Sequence, residues 1–245
     1  MIKKKKAFYV CIHALSRIVL QISYTNSKKT NSLKTQQGIF EWFISCLLDQ
    51  SVNPTILHQT VESLRTSGLL DYETLISTNE SKLKTDLGEA LKHYRYHNRA
   101  VKAFLVNLEK ISQEYKGNLH NILHFSKDSA EVWERVNKFY WFGVKKSGLF
   151  IKDLVNLEVW PLSVEQIPIP PDSRVRRVLY RLGLVKNRDD LKEVEQAAKK
   201  LSKEAGIFPL DLDCVLWTVG DDRICGERKM SCEKCPLEQY CPKVM

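Results

Sequence analysis

No stretch of this chain alternates apolar and polar residues over the length of a strand, so nothing in it predicts a half-exposed β-sheet. It has no internal repeat and no low-complexity tract, so nothing in it predicts a solenoid or a compositionally biased segment. Its six histidines show no ligand spacing, and none is assigned to a metal. No apolar run is long enough to span a bilayer. The start, Met1 to Lys6, has the charge order of a signal peptide, yet His13, Ser16, Arg17 and Gln21 break the apolar run that follows. Phe8, Ile12, Leu15, Val19 and Ile22 recur there at helical spacing, which predicts an amphipathic helix packed on the domain.

What the chain does contain is helix signal, positive charge and cysteine. At 245 residues it can bury a good core as one unit or two small lobes. Lysine and arginine exceed aspartate and glutamate by 38 to 29, a net charge of +9 that favours a polyanionic partner. Seven cysteines, an odd number, argue for a reducing compartment, and Cys11, Cys46 and Cys214 sit among apolar neighbours as small core residues. Beyond a polar linker from Thr25 to Gln37 comes an apolar segment, Ile39 to Leu48. Asn53-Pro54 reads as a cap and first-turn pair opening a helix that stops near Gly68, and another helix starts at Asp71. Further helices are expected over Glu89 to Tyr115, Ser129 to Phe142, Val144 to Leu154, Asp172 to Leu182 and Asp189 to Ala205. Trp160 to Pro171 holds four of the eight prolines and is expected to be extended.

Four cysteines crowd one short run, Cys225, Cys232, Cys235 and Cys241. Four thiolates suit either an iron–sulfur cluster or a structural zinc ion, but zinc sites more often pair two C-x-x-C knuckles and this run has one. The string CGERKMSCEKCPLEQYC resembles the C-terminal cluster loop of endonuclease III and the mismatch adenine glycosylases. That resemblance implies a [4Fe–4S] cluster, with zinc the alternative ligand. It also implies an all-α, two-lobed helix-hairpin-helix DNA glycosylase fold. On that plan residues 1–37 pack with the C-terminal lobe, 38–159 form a six-helix lobe with the hairpin, and 160–245 form the C-terminal lobe with the cluster loop at 225–241. DNA would lie in the cleft between the lobes.

A second stretch, IPIPPDSRVRRVLYRLGLV from Ile167 to Val185, resembles the catalytic-aspartate region of the same superfamily, most closely that of the archaeal 8-oxoguanine glycosylases. The resemblance puts the family's aspartate on Asp172, where it would offset positive charge on the sugar; an aspartate there is also an ordinary helix cap. Phe142-Gly143-Val144-Lys145-Lys146 resembles the Phe-Ala-Val-Lys-Met sequence of the archaeal enzymes and puts the amine nucleophile on Lys145. Alignment to the Gly-Val-Gly-Arg-Lys-Thr-Ala pattern of endonuclease III, with a one-residue gap, selects Lys146 instead. The family's Gly-x-Gly hairpin is missing: only Gly143 and Gly148 flank the lysines. The 27-residue separation of Lys145 and Asp172 is nearer the archaeal type, whose members generally lack a cluster, so the chain mixes two branches.

By the same resemblance Gln50 falls where relatives carry a glutamine that touches the flipped base or fills its slot, and Trp217 where an aromatic ring meets the base. Trp217 is equally well placed to be a core residue bracing the loop. Gly143, Lys146, Arg174 and Arg177 are the expected phosphate contacts, with Arg228, Lys229, Lys234 and Lys243 around the cysteines as further charges. The expected function is a base-excision repair glycosylase with AP-lyase activity on double-stranded DNA, 8-oxoguanine first. The alternatives are an endonuclease III-like enzyme for oxidised pyrimidines and a non-catalytic iron–sulfur DNA-binding protein. A cytoplasmic, nucleoid-associated monomer with no membrane partner is expected.

Overall fold

Aspartate, asparagine and threonine caps punctuate the chain into short helices. The computed structural model describes residues 2–24, 33–163, 167 and 171–244. Most of the expected linker, and residues 164–166 and 168–170 of the proline-rich segment, lie outside these, as do the side chains of Val19 and Ile22. Among the described residues every regular element is helical, and one isolated antiparallel bridge joins Cys225 to Met230. The chain divides into two compact units, one of 1–26 and 163–245 and one of 27–162.

After the N-terminal helix α1 (Ile2–Tyr24), the unit of 27–162 contains in order α2 (Gln36–Leu48), α3 (Pro54–Thr66), α4 (Tyr72–Ser77), α5 (Glu80–Ala90), α6 (His97–Tyr115), α7 (Asn121–His124), α8 (Ser129–Asn137) and α9 (Gly143–Asn156). Side-chain oxygens of Thr35, Asn53, Asp71, Asn79 and Asp128 accept backbone N–H groups in the first turns of five of them. Phe43 on α2 is fully buried; its ring stacks on Phe142 at 4.6 Å and meets Phe139 and Phe150 edge-on at 4.8 and 5.7 Å. These contacts fasten α9 and the turn before it to α2. Rings paired this way contribute about 0.5–1.5 kcal/mol each beyond their buried area.

Two expected helices are shorter than the sequence pattern suggests. The one expected from Glu89 begins only at His97, because Leu91 to Tyr96 form turns that carry Tyr94 inward, where its hydroxyl donates to the Leu48 carbonyl at 2.6 Å. The one expected to reach Phe142 stops at Asn137. Asn107 closes both backbone groups of Tyr140, donating to its carbonyl at 3.0 Å and accepting its N–H at 2.7 Å. That side-chain pairing replaces the helical bonds the segment gives up.

The other unit contains α1 (Ile2–Tyr24), α10 (Ser173–Arg181), α11 (Leu191–Ala205), α12 (Pro209–Val219), α13 (Asp222–Cys225) and two 3-10 turns, Cys232–Lys234 and Glu238–Tyr240. Phe8 and Ile12 of α1 pack among Val178, Leu179, Leu201, Leu212, Val215 and Leu216, which sets the N-terminal helix on α11 and α12. Asp190, one residue beyond the expected start, caps α11, and Gly206 ends it in the left-handed region at φ 66°.

Candidate active site

The turn between α8 and α9 makes a helix-hairpin-helix without the two glycines. Trp141 and Gly143 are both left-handed, at φ 63° and 70°. Glycine adopts that conformation freely, but a bulky residue holds it only where its surroundings insist. Trp141 is held by the Asn107 clamp on its neighbour, by Lys146 and Arg99 cations 4.0 and 5.3 Å from its ring, and by Tyr96 edge-on at 6.1 Å. Its carbonyl also accepts from Lys146 Nζ at 3.1 Å. The chain thus keeps a turn with two left-handed positions while carrying a side chain at the first of them.

Lys145 and Lys146, both in the first turn of α9, have opposite environments. Lys145 is half exposed, and its Nζ lies 3.6 Å from Asp49 Oδ2. Lys146 is 2% exposed, and its Nζ donates to the Leu47 carbonyl at 2.7 Å as well as to Trp141. Burial pushes the Lys146 ammonium down to about 8, against the pull of Asp49 and Cys46 toward the charged form. Asp49 is the functional candidate that the sequence reading passed over. It caps the C-terminus of α2, where a carboxylate opposes the helix dipole, and that misplacement was the available signal. Gln50 follows it, half-buried, with its N–H on the Leu48 carbonyl at 2.8 Å.

In the other unit Asp172 caps α10, its Oδ1 accepting from Arg174 and Val175 N–H groups at 2.8 and 2.9 Å. Trp217 on α12 is 48% exposed, which argues against a core brace, and the Arg174 guanidinium stacks on one of its faces at 4.1 Å. Arg174 also lies 4.0 Å from Asp221.

Arg177, expected on phosphate, faces inward instead. It is 4% exposed and donates to the carbonyls of Gly220 at 2.7 Å and Cys225 at 2.8 Å, with Glu227 at 3.0 Å. With Asp222 at 3.5 Å as a fourth partner, this guanidinium ties α10 to the cysteine loop. Removing one member of such a buried set strands the others, so Arg177→Met should destabilise the protein by about 3 kcal/mol in denaturant unfolding. Lys146 is likewise unable to reach a phosphate from where it sits, whereas Gly143 is exposed at the hairpin tip.

Cys225, Cys232, Cys235 and Cys241 are all free and half-buried, on the loop from α13 through the two 3-10 turns. Burial raises the thiols of Cys235 and Cys241, and the other cysteines of the loop raise them further. Arg181 Nη1 donates to Cys225 Sγ at 3.2 Å and to the Gly226 carbonyl at 2.7 Å, and the Lys243 N–H lies 3.4 Å from Cys241 Sγ. N–H donors at the Cys225 and Cys241 sulfurs are of the kind that stabilise a thiolate. Among the described residues, no three or more His, Cys, Asp and Glu side chains are arranged to hold a metal ion.

Two helices, α8 and α9, joined by the turn at Trp141 and Gly143 are the element for which the helix-hairpin-helix DNA glycosylases are named. The fold is similar to that of a trapped endonuclease III–DNA covalent intermediate, an estranged-adenine complex, with a TM-score of 0.62 and 16% identity over 92% of this chain and 96% of that one. A family model described as N-glycosylase/DNA lyase, AGOG, matches residues 74–245. The chain belongs to that family, and it is a base-excision DNA N-glycosylase with lyase activity. No curated protein matches the sequence. No helix among the described residues is long and apolar enough to cross a membrane.

Proposed function

We propose that this glycosylase removes an oxidised purine, 8-oxoguanine first, from double-stranded DNA, with Lys145 as the nucleophile and Asp172 as the carboxylate that serves it. The observation that carries the choice of lysine is accessibility. Lys145 presents its amine in the first turn of α9, whereas Lys146 Nζ is engaged with two carbonyls beneath the surface. The Lys145 lone pair attacks C1′ of the deoxyribose, the glycosidic electrons leave with the base, and the base takes up a proton. The adduct nitrogen gives up a proton, its lone pair then breaks the C1′–O4′ bond, and O4′ takes up a proton as the ring opens to leave the C1′ iminium; removal of a C2′ proton then expels the 3′ phosphate by β-elimination. Asp49, beside the amine, is placed to accept the proton that an ammonium must lose before it can attack. Asp172 balances the positive charge that develops on the sugar.

Gln50 is the base-edge or slot-filling residue of this reading, and Trp217 offers an extruded purine the ring face that Arg174 leaves open, a stacking contact of about 1–3 kcal/mol. Gly143 and Arg174 remain the candidates for phosphate contact. The four cysteines fit a [4Fe–4S] cluster by donor type and by the N–H groups on Cys225 and Cys241; when bound, it would brace the loop that Arg177 and Arg181 already hold. Iron and sulfide analysis separates it from zinc.

The test is borohydride trapping on duplexes that carry 8-oxoguanine, thymine glycol or an abasic site. Covalent product on 8-oxoguanine at a rate at least about tenfold above thymine glycol is the expected result. The reverse order would make oxidised pyrimidine the substrate, and product on the abasic site alone would leave the lyase without this base specificity.

A further inference from the structure

We propose that Lys146 is a positioning residue for the lyase reaction: its buried ammonium fastens the hairpin turn to the C-terminal end of α2 and so sets Lys145 against Asp49. The inference rests on the reading that Lys145 is the nucleophile.

The last carbonyls of a helix have no partners within it. At the end of α2 that need is met from two distant segments: Lys146 takes the Leu47 carbonyl at 2.7 Å and Tyr94 takes the Leu48 carbonyl at 2.6 Å. Asp49 is the next residue, and its carboxylate faces Lys145. The same ammonium holds Trp141 by carbonyl and by ring, at 3.1 and 4.0 Å. One cation therefore joins the two backbone segments whose relative placement sets the Lys145–Asp49 distance.

A methionine would fill the same volume without burying a charge, so packing alone does not call for lysine here. The charged groups around Lys146 are Cys46 and Asp49 of α2, Arg99 of α6 and Lys145 of its own helix, with Tyr94 and Tyr96 on the turn before α6. Because burial holds its pKa below that of an unfolded lysine, its cost to stability is full below about pH 8 and fades as the pH rises toward the ordinary lysine value. Keeping Lys146 charged at neutral pH thus carries a desolvation cost that an apolar side chain of the same size would not.

Single-turnover cleavage at an abasic site, with melting and DNA binding measured alongside, tests the idea. Lys146→Met removes a buried charge but strands the Leu47 and Trp141 carbonyls, so it should melt within a few degrees of wild type, bind DNA as wild type does, and cleave about 100-fold more slowly, since small misplacement of reacting groups costs that much. A residue that merely supported the fold would lower stability and rate together. In the wild type, the ammonium is lost as pH rises through about 8, so at pH 9 its rate should lie about tenfold below that of Lys146→Arg, whose guanidinium stays charged. Wild-type cleavage by Lys146→Met overturns the inference and leaves Lys145 as nucleophile. Trapping by Lys145→Ala but not by Lys146→Met overturns both readings and makes Lys146 the nucleophile. If the Met variant does not melt cooperatively, the pH comparison with Lys146→Arg decides, and superimposable curves refute the proposal.

Discussion

An abasic duplex incubated with Lys145→Ala and borohydride should give no covalent band above background, while the same protein binds that duplex with wild-type affinity to within a few-fold. A Schiff base needs an unprotonated primary amine within reach of C1′. Once Lys145 is gone, the other amine of this turn is Lys146, whose Nζ lies beneath the hairpin with two carbonyl partners. A positioned amine acts with an effective concentration of about 10⁵ M or more, so a lysine arriving by diffusion falls short by at least about 10³-fold. The fold should not suffer. Lys145 is half exposed, and its ion pair with Asp49 at 3.6 Å is of the kind that contributes at most about 1 kcal/mol. Loss of trapping with an unchanged melting temperature is therefore a statement about chemistry. Trapping that persists in Lys145→Ala at the wild-type level would sink the assignment.

What the sequence made legible was local. Asn53, Asp71 and Asp172 cap the helices expected of them because a cap bonds two or three residues ahead, within the reach of a motif. The cysteine spacing and the lysine pair were equally visible, being contiguous in the chain. What stayed hidden was decided by partners far away. The helix expected from Glu89 breaks because Tyr94 finds a carbonyl 46 residues before it. Arg177 looked like one more arginine on an amphipathic helix; its partners at Gly220 and Cys225 stand 43 and 48 residues further on. Periodicity says which face of α10 is apolar, but it cannot say that a guanidinium at its edge turns inward to meet free carbonyls. The hairpin turn without Gly-x-Gly was hidden for the same reason. A left-handed tryptophan is improbable on local grounds, and the groups that hold it come from α6 and α9. The two lysines show the limit most sharply: adjacent and identical in sequence, they are separated only by burial.

Asp172→Asn should slow base release by about 10²–10⁴-fold and leave the protein as stable as before. The substitution is informative because of where Asp172 sits. Its Oδ1 accepts two N–H groups at the start of α10, and the amide oxygen of asparagine caps a helix as well as a carboxylate does. The cap, and with it the packing of Val175, Val178 and Leu179 beneath, should survive. What the change removes is one negative charge in a segment that carries Arg174, Arg176 and Arg177 directly behind it. If Asp172 were only a cap, the asparagine variant would release base at the wild-type rate. If it balances the charge on the sugar, the rate falls while melting and DNA binding hold. An alanine variant adds the converse control: it loses the cap too, so its melting temperature should drop by the equivalent of about 1 kcal/mol beyond any catalytic loss. A lyase assay started from a preformed abasic site divides the effect further. Charge stabilisation during base loss predicts a deficit confined to intact lesions, whereas a shared role in proton removal at C2′ predicts that abasic cleavage slows as well.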